Sequence, residues 1–311
     1  MDKLLANKIT DICDKDYFYL KSFKNVIGVG LGYKVINGKD TGELSVHVLV
    51  HNKTSEIDKS NFIPKTYMGI KTDVIEIGEQ AQKSLKEKIR PLVAGYGISK
   101  QNLKEAGTIG CIVTRDNPYG VKDYYILTNN HVIADLTRGE IGIPLVQPGG
   151  IDGGESPRDI VARLSEFIPL KFHRLNPKPE NFVDAAIGKI IKPSLVQSKE
   201  IALVGKITGI SKAVIGERIK KVGRTSGLTM GEVTTINTTI EISYGGRFKT
   251  PFLFKGLTLA KLQLDQGDSG SIVLNEKNEA IGQAISSSSQ NITTFADMET
   301  VLTALNVELY I

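Results

Sequence analysis

Three short polar segments, each beside an apolar run, place a histidine, an aspartate and a serine in a fixed order along this chain. His131 follows a β-prone run ending in Thr128-Asn129-Asn130, and Asp184 stands inside Val183-Asp184-Ala185-Ala186. Ser269 lies in Gly267-Asp268-Ser269-Gly270-Ser271, where the glycines allow a sharp turn that brings N–H groups beside the hydroxyl. An aspartate among apolar residues needs a hydrogen-bonding partner, and an imidazole N–H is suitable.

The order of these residues restricts the fold. In α/β-hydrolases the order is serine, acid, histidine, and in subtilisins it is aspartate, histidine, serine. The hydrolase turn also needs the pattern G-x-S-x-G, but position 271 is serine. The order His131, Asp184, Ser269 is that of the chymotrypsin type.

The segments TNNHV, VDAAI and GDSGS resemble the signatures of trypsin-like serine proteases, specifically bacterial ones without disulfides. Val222–Gly231 is similar to the GRTTG-type hairpin of that group, and Ala280–Ser286 resembles its substrate-binding strand. The resemblance covers roughly residues 91–306. It implies a mainly β protein: a chymotrypsin-like double β-barrel, with barrels at 91–195 and 196–311, preceded by a small α/β domain at 1–90. The implied function is that of a serine endopeptidase.

The resemblance also assigns roles to residues. Ser269 would be the nucleophile, His131 the general base and Asp184 the group that orients the imidazole. The N–H groups of Gly267 and Ser269 would form the oxyanion hole. Further positions would contact an extended peptide substrate, namely Gln263, Ser286, Ser287 and Ser288. Because Gln263 is neutral and serines replace glycines along the pocket, we expect small or medium apolar P1 residues.

Asp268, beside the nucleophile, needs a counter-charge if it is buried. In animal trypsin-like enzymes this is a new N-terminus freed by proteolysis, whereas the bacterial group uses an arginine of the GRTTG-type hairpin. We therefore expect Arg224 to pair with Asp268, without cleavage near Leu92.

Residues 1–90 have a different pattern. Apolar residues at helical spacing near the N-terminus predict an amphipathic helix, and strand-like runs at 26–35 and 44–50 predict a β-hairpin. A third strand is predicted at 71–77 and a helix at 79–90. The segments GVGLGYK and IKTDVIEIG also resemble the region preceding the protease in the plant NARROW LEAF 1-like group and its bacterial relatives.

Two specific kinds of site, a dinucleotide-binding loop and a zinc site, are not favoured in the N-terminal region. The segment Gly28–Gly32 lacks the last glycine of a dinucleotide-binding motif, and no helix obviously follows it. His47 and His51 share one face of a strand without a third histidine or nearby carboxylate, so a surface pair is favoured over zinc. We expect no cofactor and no metal.

The composition indicates the cellular compartment and the classes of binding partner. The chain has 39 basic and 34 acidic residues without a dense basic tract, so nucleic acid is not indicated. No run is long enough to span a membrane, and Cys13 and Cys111 without an export signal favour a reducing cytoplasm. We expect a protein or peptide substrate. We also expect assembly into a homo-oligomer, or a regulatory partner, to restrain the protease activity. The alternative is a latent or non-catalytic module that binds extended peptides.

Overall fold

The computed structural model of the protein describes residues 2–36, 38–53, 62–77, 84–171, 180–245 and 251–311. The chain divides into two compact units, Met1–Lys83 and Ser84–Ile311. Residues 84–90, assigned to the N-terminal domain from the sequence, pack with the second unit, where Leu85 is buried in the core.

The first unit contains helices packed on a sheet. Its described elements are α1 (Lys3–Lys15), α2 (Tyr17–Lys21), β1 (Val26–Ile36), β2 (Lys39–Val50), β3 (Thr66–Tyr67) and β4 (Ile70–Glu76). The Asp2 carboxylate accepts hydrogen bonds from the N–H groups of Leu4 and Leu5, which caps the start of α1. β1 pairs with β2 in an antiparallel hairpin, and β4 runs parallel to β2. The helix, hairpin and third strand therefore form as the sequence predicts.

The helix predicted at 79–90 is not confirmed. Residues 79–83 lie outside the described ranges, and residues 84–90 are turns and irregular chain. The Gln147 side chain accepts a hydrogen bond from the Ile89 N–H, and the Arg90 guanidinium donates to the Gln147 carbonyl. Contacts with a distant loop thus replace helical hydrogen bonds over this segment.

The second unit begins with an antiparallel sheet that carries the histidine and the aspartate. Its first seven strands are β5 (Gly97–Lys100), β6 (Gly107–Thr108), β7 (Cys111–Asp116), β8 (Lys122–Thr128), β9 (Pro144–Val146), β10 (Ile160–Phe167) and β11 (Ala186–Ile190). They lie in the order β7-β8-β11-β10-β9-β5-β6. The four-residue helix α3 (Asn130–Ile133) follows β8, and short 3₁₀ helices lie at Gly150–Asp152 and Pro193–Leu195.

The second sheet closes into a barrel and carries the serine. Its strands are β14 (Gly209–Ile210), β15 (Arg218–Gly223), β16 (Gly227–Ile242), β17 (Phe252–Lys261), β18 (Ile272–Asn275), β19 (Glu279–Ser287) and β20 (Ile292–Asp297), and a separate pair is formed by β12 (Glu200–Ile201) and β13 (Gly205–Lys206). The order β14-β19-β18-β15-β16-β17-β20, with a further pairing of β19 to β20, joins six strands in a ring. Helix α4 (Met298–Leu305) follows β20.

The C-terminal strand β21 (Glu308–Leu309) pairs with β7 of the first sheet. The sequence predicts that residues 196–311 form the second barrel. The structure differs at the end of this range, because strand β21 joins the first sheet. Tyr310 continues the contact, because its N–H donates to the Ile112 carbonyl and its ring packs edge-on against Tyr124.

The two cysteines are free thiols, and Cys111 is buried whereas Cys13 is partly exposed. Burial raises the pKa of the Cys111 thiol well above its ordinary value. Within the described ranges, none of the helices combines the length and apolar character needed to cross a membrane.

Candidate active site

His131, Asp184 and Ser269 come together from three elements of the second unit. His131 lies on α3 at the end of β8, Asp184 precedes β11, and Ser269 lies in the turn before β18. The pairing of β8 with β11 sets the first two side by side, with Thr128 opposite Ala186. His131 and Ser269 line one cleft of about 360 Å³. They share this cleft without a hydrogen bond between Ser269 Oγ and the imidazole; such bonds are often long in unliganded sites.

The Asp184 carboxylate is fully buried and accepts three hydrogen bonds. Oδ2 lies 2.6 Å from His131 Nδ1 and 2.6 Å from the Tyr244 hydroxyl, and Oδ1 accepts from the His131 N–H at 3.2 Å. Burial by itself raises the pKa of Asp184, but the His131 charge and these hydrogen bonds outweigh it and hold the pKa below its ordinary value. Because Nδ1 is engaged, Nε2 is the ring nitrogen of His131 that remains to take a proton.

Tyr244 is a site residue that the sequence analysis missed. It lies after β16, between Ser243 and Gly245, and its ring centroid is 5.2 Å from that of His131. The segment SYGG has the pattern of an ordinary turn, and nothing in its spacing relates it to an aspartate 60 residues earlier.

The serine turn depends on glycines at two positions. Gly267 has a φ of 102° and Gly270 a φ of 93°, backbone conformations that favour glycine. A Cβ on Gly270 would also clash with Thr128 Oγ1, at the end of β8. The turn thus packs directly against the strand that leads to His131.

Two threonine hydroxyls hold the carbonyls on either side of the Gly267 N–H. Thr225 Oγ1 donates to the Gln266 carbonyl and Thr108 Oγ1 to the Gly267 carbonyl, both at 2.8 Å. In a trans peptide the N–H points opposite to the C=O, so Thr225 directs the Gly267 N–H away from itself. Among the described residues, the N–H groups of Gly267 and Ser269 have no hydrogen-bond acceptor. They remain available as donors at the cleft.

The predicted pairing of Arg224 with Asp268 is wrong. Asp268 Oδ2 is bound instead by Lys221 Nζ at 2.8 Å, and both side chains are fully buried. Lys221 lies on β15, on the same face as buried Ile219, so its side chain enters the barrel. Arg224 lies just beyond the end of that strand, and its Nε donates to Asp152 Oδ2 at 2.8 Å.

The surroundings of Asp268 stabilise its charge. Its oxygens also accept from the Ser226 hydroxyl and from three backbone N–H groups, those of Thr225, Ser226 and Asp265. Burial raises the pKa of Asp268, but the Lys221 charge and these donors outweigh it and keep the pKa below its ordinary value. Burial also lowers the pKa of Lys221, and the Asp268 charge opposes that effect.

The predicted substrate-contacting residues lie along β19 and the segment before Ser269. Ser286 and Ser287 pair with β20. The Ser287 hydroxyl crosses to the Leu264 carbonyl at 2.7 Å, whereas the Ser288 hydroxyl accepts from N–H groups of its own turn. The Gln263 amide donates to Asp265 Oδ2 at 2.9 Å. None of these four predicted positions lines the cleft that His131 and Ser269 share.

Comparisons with known sequences give one extended similarity. No protein-family model matches the chain. Protein NARROW LEAF 1 from Oryza sativa subsp. japonica is 24% identical over 331 residues, which is 89% of this chain and 54% of that protein. The chain therefore spans about half the length of this curated relative.

Comparison with solved structures gives the fold. A glutamic-acid-specific serine protease superposes with a TM-score of 0.51 at 18% identity, covering 70% of this chain and 100% of that chain. An α-lytic protease homologue, N4, gives a TM-score of 0.50 at 15% identity, covering 70% and 99%. The protein is thus mainly β with a chymotrypsin-like fold, and the predicted fold class is confirmed.

Proposed function

We propose that the protein is a serine endopeptidase that uses His131, Asp184 and Ser269. The observation that carries the proposal is the buried Asp184 carboxylate, which engages Nδ1 of an imidazole lining the same cleft as Ser269. This contact fixes the tautomer in which Nε2 of His131 is a base. The serine-protease fold of the solved neighbours supports the same reaction class.

The reaction would run through an acyl-enzyme. Ser269 Oγ attacks the peptide carbonyl while His131 Nε2 takes its proton, and the resulting oxyanion accepts hydrogen bonds from the N–H groups of Gly267 and Ser269. Collapse of the tetrahedral intermediate breaks the C–N bond, and the imidazolium protonates the leaving amine. Water then attacks the ester by the same route and releases Ser269.

The substrate would bind as an added strand. The pairing of β19 with β20 continues as far as Ser286 and Ser287, whereas its pairing with β18 ends at Gln283. Within the described ranges no strand occupies the other edge of Ser286–Ser288, so its backbone groups can pair with an extended peptide.

The P1 residue would be small. The bond from the Ser287 hydroxyl to the Leu264 carbonyl joins the two segments expected to flank the P1 side chain. A second link, from Thr293 Oγ1 to the Leu262 carbonyl at 2.6 Å, ties β20, the strand that pairs with Ser287, to the segment before Ser269. This spacing supports alanine-sized P1 residues and disfavours large ones.

The oxyanion hole would form without proteolytic activation. Lys221 supplies the buried cation that Asp268 requires. Leu92, near which such cleavage would have to occur, is buried and its N–H donates to the Leu195 carbonyl at 2.9 Å. Regulation would therefore come from the N-terminal unit, assembly or a partner, in a cytoplasmic setting consistent with two free thiols.

A fluorophosphonate probe tests the proposal. The wild-type protein should label at one serine, and labelling should disappear in Ser269→Ala while Ser271→Ala, a neighbour in the same turn, still labels. Folded wild-type protein that never labels would overturn the enzyme proposal and favour the latent or peptide-binding alternative. The latent or peptide-binding module remains a second candidate because these two described residues, Ser269 and His131, are not joined by a hydrogen bond.

A further inference from the structure

We infer that Tyr244 is a positioning residue of this reaction, which holds the Asp184 carboxylate and, through it, the His131 imidazole. The inference rests on the proposed function, because it assigns a role within the same triad. Tyr244 is not proposed to touch the substrate.

The hydrogen bonds converge on one oxygen atom. Asp184 Oδ2 lies 2.6 Å from the Tyr244 hydroxyl and 2.6 Å from His131 Nδ1. An ionised carboxylate only accepts, so the phenol is the donor. Burial and the nearby Asp184 charge raise the pKa of Tyr244 well above its ordinary value, so the phenol keeps its proton at neutral pH.

The tyrosine ring is fixed by its neighbours. Its centroid lies 5.2 Å from that of His131, 5.6 Å from that of Phe252 in an edge-on arrangement, and 6.5 Å from that of Phe254. Both phenylalanines belong to β17 of the second sheet and are buried. The second barrel therefore presents this donor to an Asp–His pair that lies in segments flanking strands of the first sheet.

The bond affects both geometry and charge. Without the phenol, Oδ2 would accept from His131 alone and Oδ1 from a backbone N–H at 3.2 Å, so the carboxylate would be less firmly oriented. The phenol also draws negative charge away from the imidazole. Among the described residues, the titratable groups that contact the Asp184 carboxyl are His131 and Tyr244. The rings of Phe252 and Phe254, which pack against Tyr244, are uncharged. Removing the hydroxyl should therefore leave more negative charge facing the imidazole and favour the imidazolium.

The test is the pH dependence of fluorophosphonate labelling in Tyr244→Phe, which keeps the ring. The plateau rate constant should fall about tenfold, because a hydrogen bond to a charged group is lost. The acid-side midpoint should move up by about half a unit to one unit. Tyr124→Phe, which alters a tyrosine paired with Tyr310, is the matched control and should leave both values unchanged.

A second variant guards against a purely structural effect. Replacing Tyr244 by 3-fluorotyrosine keeps the ring and hydroxyl but makes the phenol a stronger donor, so the midpoint should move to lower pH. Unchanged rate and midpoint in Tyr244→Phe, or shifts of the same sign in both variants, would overturn the inference.

The inference can fail separately from the proposed enzyme activity. NMR of the His131 ring as a function of pH, in the Ser269→Ala background, follows protonation of the imidazole without any labelling. A midpoint at higher pH on adding Tyr244→Phe supports the positioning role even if the protein never labels, and an unchanged midpoint overturns it even if the protein is an active protease.

Discussion

The Lys221 ammonium lies 2.8 Å from Asp268 Oδ2, and neither side chain has any exposed area. The carboxylate beside Ser269 thus receives its counter-charge from a strand of its own barrel. A lysine at this site is covalently part of β15 and is in place as soon as the barrel folds, whereas a freed N-terminus must first be produced and then inserted.

Lys221→Met should strongly destabilise the second unit. It leaves Asp268 buried without its cation, and breaking a buried pair from one side typically costs about 3–5 kcal/mol. Chemical denaturation measures the free energy of unfolding, and labelling of Ser269 should fall with it. Lys220→Met, which removes a partly exposed lysine from the other face of β15, is the control. Full stability and labelling in Lys221→Met would contradict the assignment.

The stability lost in Lys221→Met should depend on pH in a definite direction. In the wild type, the pKa of Asp268 lies below its ordinary 3.8, so the pair stabilises the fold above that value and the contribution is lost as the pH falls through the folded pKa. In the variant the carboxyl can be buried neutral once protonated. The difference in unfolding free energy should therefore be large at pH 7 and shrink as the pH approaches 3. A difference that stays constant across this range would exclude the buried charge as its cause.

Thr225→Val should lower kcat with little change in KM. The hydroxyl fixes the Gln266 carbonyl and hence the opposite direction of the Gly267 N–H. Direct loss of an oxyanion donor typically costs about 10²–10³ in rate, which is the upper limit for this indirect effect. Steady-state kinetics on a chromogenic peptide with alanine at P1 gives both constants. Thr225→Ser keeps the hydroxyl and should retain most of the activity; if serine and valine behave alike, the hydroxyl has no such role.

Ser287→Gly should widen the P1 preference. Removing the link to the Leu264 carbonyl frees the space between the two segments. The ratio of kcat/KM for leucine over alanine at P1 should rise about tenfold, within the range that a hydrophobic pocket can discriminate. Ser289→Gly, in the exposed turn that follows, is the control. An unchanged ratio would show that Ser287 does not limit P1 size.

The sequence allowed the fold class to be predicted because its local patterns agree with the long-range arrangement. The apolar run before His131 forms β8, and the glycines around Ser269 form the tight turn. These features are readable because the residues responsible are adjacent in the chain.

The charged and aromatic partners could not be predicted in the same way. Tyr244 and Asp184 are 60 residues apart and meet only because two sheets face one another. Strand alternation places Lys221 on the same face as Ile219, so its burial could have been predicted from the sequence. A buried lysine is unusual, however, and the resemblance to bacterial proteases favours Arg224 as the counter-ion. The distinction depends on where each side chain leaves the strand, which requires the register of β15.

Pairing of β21 with β7 has a consequence for synthesis of the chain. Glu308 lies opposite Thr114, so nearly 200 residues separate the two partners. A ribosome releases the first sheet long before it releases this strand, and β7 must wait at an unpaired edge until then. The nascent protein therefore completes the edge of its histidine-bearing sheet last, only after residue 309 has emerged.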